Sequence, residues 1–257
     1  LKRAEEERVR LESQLRQEQK LSSVGTLANG VAHEINNPLM GVINYAQLLH
    51  DRIPESEEIW RSWSSEIISE GLRISEIVRN LLTFSRQSDV RRIPVPPAEV
   101  ISGILSLSRK LLEKDEIQAD VDLEADLPLI SCSAAQIQQV LLNLLTNARD
   151  ALNERHPGYS PDKRITITGS RLSERDGVWV RISVADRGCG LPAEASERIF
   201  DPFFTTKPTG LGTGLGLSIS YGIVKEHGGH LGFEHNEPEG TVFHVDLPAF
   251  GGERPAP

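Results

Sequence analysis

The stretch Gln139-Val140-Leu141-Leu142-Asn143-Leu144-Leu145-Thr146-Asn147-Ala148-Arg149-Asp150 decides what the C-terminal part of this chain is. Val140, Leu141, Leu144 and Leu145 recur at helical spacing and predict a buried face on a helix over 134–153. Asn143, Asn147 and Asp150 fall at i, i+4 and i+7 on one polar stripe. Such a stripe of oxygen ligands suits Mg²⁺ held jointly with phosphates, because that ion keeps waters and takes few protein ligands; it also suits a solvated helix face.

Working outward, helical periodicity near 98–114 and strand-like runs near 117–131, 164–172 and 178–185 surround this helix. A Gly/Pro-rich stretch follows at 186–216, then a helix over 215–227 closed by Gly228-Gly229, then two terminal strands. The pattern predicts an α/β sandwich. Asp186-Arg187-Gly188-Cys189-Gly190 follows an apolar strand, where an acidic side chain can accept the exocyclic amine of adenine and glycines let a ring approach the backbone. Its Gly-x-Gly-x-x-Ala spacing meets a loose dinucleotide pattern, but Pro192 and the long loop beyond it open no helix at once. Gly210-Leu211-Gly212-Thr213-Gly214-Leu215-Gly216-Leu217 stands directly before a helix, whose positive end and free N–H groups form an anion cradle. No Gly-Lys pair occurs, which excludes a P-loop.

The N-terminal part reads differently. Leu21, Ala28, Ile35, Val42 and Leu49 recur every seven residues, with Val24, Val31 and Tyr45 three further on. Trp60, Ile67, Ile74 and Leu81 repeat the register, with Trp63, Ile77 and Phe84 as companions. Pro54 breaks the two runs, and Ser56 is placed to cap a helix whose first turn holds Glu57 and Glu58. A helical hairpin over 20–88 is therefore expected, too thin to be stable alone and completed by a twofold copy into a four-helix bundle. Pro94, Pro96 and Pro97 mark the boundary that follows. The expected organisation is a helical linker at 1–20, a dimerisation hairpin at 21–88, an interdomain linker at 89–97, the α/β domain at 98–250 and a flexible tail at 251–257.

Composition excludes other classes. The 257 residues carry a net charge of −9 and 5% aromatics without a basic run, which speaks against nucleic acid as a partner. Cys132 and Cys189 have no CxxC spacing, so no disulfide framework is expected and a reducing cytosol fits. No window is apolar for long enough to span a bilayer, so direct membrane insertion is not expected. The chain starts at Leu1 rather than Met, so an upstream part, which could tether it to a membrane, is anticipated.

His33 stands two residues before the seam residue Ile35, about 200° around the helix, and is expected to face water. Glu34 follows with a carboxylate able to hold an imidazole proton. Asn37 lies on the same helical face as His33, and Pro38 costs about 3 kcal/mol in a helix interior, which points to function at this turn.

His33-Glu34-Ile35-Asn36-Asn37-Pro38-Leu39 resembles the H-box of dimeric sensor histidine kinases. The 139–150, 186–190 and 210–217 stretches resemble the N, G1 and G2 boxes of the ATP-binding fold those kinases share with type II topoisomerases, Hsp90 and mismatch-repair proteins. Phe200-Asp201-Pro202-Phe203-Phe204-Thr205-Thr206-Lys207 resembles the kinases' F-box in a lid. The resemblance implies a helical hairpin forming a dimeric four-helix bundle, followed by an α/β sandwich of the GHKL (Bergerat) type. It implies that His33 takes the γ-phosphoryl group of ATP and passes it to an aspartate on a response regulator receiver domain. Glu34 would be the base, and Asn37 would assist dephosphorylation of the regulator. Asn143 would hold Mg²⁺ and Asn147 both phosphate and the metal, with Asp150 beside them; Asp186, Gly188 and Gly190 would hold adenine, with Thr241 near the base. Gly212, Thr213, Gly214, Leu215 and Gly216 would hold phosphates, with Lys207 neutralising their charge. An amide at position 143, where the hydrolytic branch carries Glu, fits transfer over hydrolysis. Asp150, Asn37-Pro38 and the Thr-Thr-Lys lid resemble the NtrB-like group.

Overall fold

The computed structural model describes residues 35, 38–85, 92–174, 177–207 and 212–251. They group into two units, the first drawn from 1–88, 201–203 and 207–215, the second from 89–200, 204–206 and 216–257.

The first unit contains helix α1, described over 38–50, and helix α2, Glu58–Ser85. Between them the Pro54 carbonyl accepts from Glu57 N at 3.0 Å, and the Glu57 carbonyl accepts the first helical bond from Arg61 N at 3.1 Å. Glu57 thus occupies the cap position expected of Ser56, because the Pro54 turn runs one residue further than composition suggested. His50 Nδ1 and Ser64 Oγ lie 2.9 Å apart, and Arg61 Nη1 donates to the Ile53 carbonyl at 2.9 Å, tying α2 to the end of α1. Gly71 permits the helices to approach: a Cβ built there would lie 2.5 Å from Ile43 Cγ1.

Ile43 and Ala46 are buried, whereas the heptad residues Val42, Tyr45, Leu49, Trp60, Trp63 and Ile67 are all exposed. The periodic apolar seam is therefore not the face that joins α1 to α2. Leu81, Ile77 and Phe84 have side chains outside the described residues, as do all heptad positions before Ile35.

The second unit is a mixed sheet with three helices. Strands β1 (Ile93–Val95) and β3 (Ile130–Cys132) pair antiparallel as a small sheet. Strands β2 (Gln118–Leu123), β4 (Arg164–Glu174), β5 (Gly177–Asp186), β6 (His230–His235) and β7 (Thr241–Pro248) form a five-stranded sheet in the order β2-β4-β5-β7-β6, antiparallel except for β2 with β4. Helices α3 (Pro97–Lys114), α4 (Ala134–Arg155) and α5 (Gly216–Glu226) complete it. Part of the stretch read as a linker over 89–97 is structured: Pro94 sits within β1, and Pro97 starts α3, where a missing N–H costs nothing.

Alternation along the strands builds the core. Val180, Ile182 and Val184 of β5 and Phe243, Val245 and Leu247 of β7 are buried on one face, with Ile137, Leu141, Leu144 and Leu145 of α4 also fully enclosed. Intervening positions carry polar groups, including the two-pronged Arg181–Asp246 pair at 2.7 and 2.8 Å. The same alternation continues Val180-Ile182-Val184 to Asp186, placing a carboxylate at the end of the apolar stripe.

His227, after α5, fastens that helix to the start of α4. The Ser133 N–H donates to His227 Nε2 at 3.1 Å, so Nδ1 carries the proton and donates to the Ile223 carbonyl at 2.8 Å. Burial, aided by the Arg92 charge, holds the imidazole below its ordinary value of 6.5. The folded protein therefore binds fewer protons than the unfolded chain, and the stabilisation present above about pH 6.5 is lost as pH falls below it. As pH falls from 7 to 5, the urea midpoint of His227→Gln, which cannot titrate at this position, should rise relative to that of the wild type.

Candidate functional site

Asp186 is the centre of the second unit's polar site. Its Oδ1 accepts from Gly188 N at 2.8 Å and from Thr241 N at 3.3 Å, one peptide group from the loop after β5 and one from the first residue of β7. Among the described residues Oδ2 carries no hydrogen bond, so one carboxylate oxygen remains for an incoming donor. Burial raises the carboxyl to about 6, and the two backbone bonds work against that rise. Asn236 Nδ2 donates to the Asp186 carbonyl at 2.7 Å.

Two glycines make this approach possible. Gly240 has φ of 127°, and a Cβ there would lie 2.1 Å from the Asp186 carbonyl oxygen. At Gly188 a Cβ would lie 2.5 Å from Ala151 Cβ of α4, so only glycine lets the loop lie against that helix. Gly190 sits opposite Gly240, with φ of 72°.

On α4, Asn143, Asn147 and Asp150 are half-buried along one stripe, while Val140, Leu141, Leu144 and Leu145 are buried, as the periodicity predicts. Asn143 Nδ2 donates to Ser220 Oγ of α5 at 3.0 Å, which fixes the orientation of the amide. A Cβ on Gly216 would fall 2.3 Å from Asn143 Oδ1, so α5 begins against the amide with no side chain between. An amide oxygen held this way is a hard donor suited to Mg²⁺. Arg149 pairs with Asp115 and lies 3.3 Å from Asp150 Oδ1. The residues present fit a purine nucleotide with its cation: an acceptor for an amine, glycine-lined backbone, and an oxygen stripe.

Gly212, Thr213, Gly214 and Leu215 group with the first unit, as does Lys207. Leu215 N donates to Thr213 Oγ1 at 3.3 Å. Gly214, at φ of 65°, lies against the backbone of Phe203, itself a non-glycine residue at φ of 66°. Of the F-box-like run, Phe200 stacks on Tyr221 at 5.3 Å and Arg198 covers the Phe204 ring at 4.7 Å. His33, Glu34 and Asn37 lie outside the described residues. Cys132 and Cys189 are free, the first buried and the second exposed. No trio of His, Cys, Asp or Glu among the described residues is arranged to hold a metal.

Asn236 and Ser220 belong to the site's surroundings without any signal in the sequence. Asn236 opens Asn236-Glu237-Pro238-Glu239-Gly240, which reads only as a turn, and Ser220 is an ordinary helix residue.

The chain is similar to known proteins over nearly its whole length. Residues 132–250 match the family model described as histidine kinase-, DNA gyrase B- and HSP90-like ATPase, and residues 23–89 match the His Kinase A phospho-acceptor domain. Sensor kinase CckA of Brucella abortus is 36% identical over 250 residues, covering 96% of this chain and 26% of its own length. The chain thus spans about a quarter of the length of such curated relatives. The full-length ShkA structure in complex with AMPPNP is similar with a TM-score of 0.70 at 25% identity, over 90% of this chain and 47% of that one. ThkA in complex with the response regulator TrrA gives 0.61 at 26%, over 94% and 66%.

The raised carboxyl of Asp186 makes a stability prediction. The folded state holds this proton more tightly than the unfolded chain does, so the contribution present below about pH 3.8 is lost as pH rises through about 6. Asp186→Asn keeps an Oδ1 acceptor without the charge, so it should stabilise the protein by up to about 3 kcal/mol at pH 8 and by much less at pH 4, read from urea midpoints.

Proposed function

The chain belongs to the sensor histidine kinases of two-component systems, and from that premise we propose that it autophosphorylates His33 from Mg-ATP and passes the phosphoryl group to an aspartate of a response regulator. The observation that carries the reading is Asp186, whose Oδ1 is taken by two peptide N–H groups while Oδ2 faces no protein donor among the described residues. An adenine amine supplies the missing donor. ShkA with AMPPNP supports a nucleotide in such a fold, and ThkA with TrrA supports a receiver domain as partner.

In this reading 21–88 carries the phosphoacceptor and 98–250 the nucleotide, although 201–203 and 207–215 of that span group with the first unit. Asp186, Gly188, Gly190 and Thr241 hold the base. Asn143 and Asn147, with Asp150 beside them, present oxygens to the cation, and Gly212, Thr213, Gly214, Leu215 and Gly216 offer peptide N–H groups to the phosphates. Lys207 neutralises phosphate charge. Mg²⁺, when bound, screens the phosphate oxygens against the approaching nucleophile. A ring nitrogen of His33 attacks the γ-phosphorus in line, the bond to the bridging oxygen breaks, ADP leaves, and Glu34 takes the imidazole proton. The receiver aspartate then attacks the phosphorus and the imidazole leaves; when the regulator is dephosphorylated, Asn37 orients the water that attacks the aspartyl phosphate, and the carboxylate and inorganic phosphate are released.

The exposed apolar seam supports a homodimer. Val42, Leu49, Trp60, Trp63 and Ile67 are all exposed in the single chain, and large apolar side chains left at the surface of a helix pair at heptad spacing suit a partner helix. No described helix is long and apolar enough to cross a membrane.

Incubation with γ-³²P-ATP should label the protein with an acid-labile, base-stable phosphate that His33→Gln abolishes; full labelling of His33→Gln would end this assignment. Sedimentation equilibrium should report a dimer, and Leu49→Glu combined with Trp63→Glu should shift it to monomer at micromolar concentration.

A further inference from the structure

Arg155, the last residue of α4, lies in none of the motifs, yet its side chain reaches both loops around Asp186. Its Nη1 donates to the Gly188 carbonyl at 3.0 Å and lies 3.5 Å from that of Arg187, and its Nη2 pairs with the Glu239 carboxylate. Gly188 supplies one of the two N–H groups on Asp186 Oδ1, and Thr241, two residues after Glu239, supplies the other.

The β-ladder does not hold these segments together at this point. The β5–β7 pairing ends at Ala185 with Val242, so beyond it the two chains are joined by side chains: Asn236 to the Asp186 carbonyl, and Arg155 across the Gly188 and Glu239 segments. A guanidinium can do this because its planar fork addresses a carbonyl and a carboxylate at once, which an ammonium on a flexible stem does poorly.

We propose that Arg155 is a positioning residue for base recognition, a clamp that keeps both peptide donors on Asp186 Oδ1 and so aims Oδ2 at the exocyclic amine of the purine. The proposal rests on the reading of Asp186 as the adenine acceptor. The Arg155 side chain is 31% exposed and that of Glu239 63%, and an ion pair so exposed contributes little to stability. Its removal should therefore change what the site recognises more than whether the chain folds. Arg155 also places a cation at the C-terminal end of a helix, a purely structural role that lysine would serve equally well.

The test uses the full chain and compares equilibrium binding of Mg-ATP with that of Mg-ITP, which carries a carbonyl in place of the amine. The wild-type protein should prefer ATP. In Arg155→Ala the ATP affinity should fall about tenfold while ITP binding changes less than about twofold, with the thermal midpoint nearly unmoved. Arg155→Lys keeps the charge at the helix end and should still lose most of the preference. Without nucleotide, the ¹³C-detected titration of the Asp186 carboxyl should move upward in both variants, because the N–H donors that oppose its rise are loosened. Equal losses for ATP and ITP, or a preserved preference in both variants, would overturn the clamp. Asp186→Asn separates the two readings. If it abolishes the preference and the Arg155 variants do not, the clamp alone fails; if the wild type shows no preference, the Asp186 reading fails and takes the clamp with it.

Discussion

A carboxylate at the end of an apolar strand is the constraint on which the site in the second unit depends. Charge is costly to bury, and Asp186 is 3% exposed on the face of β5 that otherwise holds Val180, Ile182 and Val184. What makes it tolerable is hydrogen bonding from two segments that must converge on one oxygen. That requirement accounts for Gly188 against Ala151, for Gly240 against the Asp186 carbonyl, and for the side-chain bridges of Asn236 and Arg155. Burial raises the Asp186 carboxyl to about 6, so its charged form is held at the expense of the fold.

The two helices α4 and α5 carry the second half of the site by a different logic. The apolar face of α4 is locked into the core, which fixes the rotational setting of Asn143, Asn147 and Asp150. Asn143 is then oriented by Ser220, and Gly216 lets α5 begin beside it. His227 ties the far end of α5 to the N-terminus of α4, so both helices are braced by a single neutral imidazole. The setting of both helices is thus fixed by core packing and side-chain bridges within the second unit.

The first unit follows an opposite rule. Its helices meet through small or modest side chains, Gly71 against Ile43 with Ala46 and Ser64 buried, while the largest apolar groups point away. A hairpin whose widest apolar face is left uncovered by its own chain is built to be completed by another surface. The heptad spacing marks that face, and the expectation that a twofold copy covers it goes beyond the spacing, because periodicity records that residues share a side of a helix and not what they touch.

Much was legible in the chain itself. The i, i+4, i+7 polar stripe on α4, the strand ending at Asp186 and the glycine run before α5 all follow from local periodicity and from the backbone freedom of glycine, which act over a few residues. Other features existed only once the chain had folded. The cap at Glu57, the pairing of Ile93–Val95 with Ile130–Cys132, and the meeting of Arg155, Asn236 and Thr241 around Asp186 depend on contacts across tens of residues. Side chains such as Arg155 and Asn236 have ordinary identities for a helix end and a turn. Their roles arise from the close approach of distant loops, which no local pattern encodes.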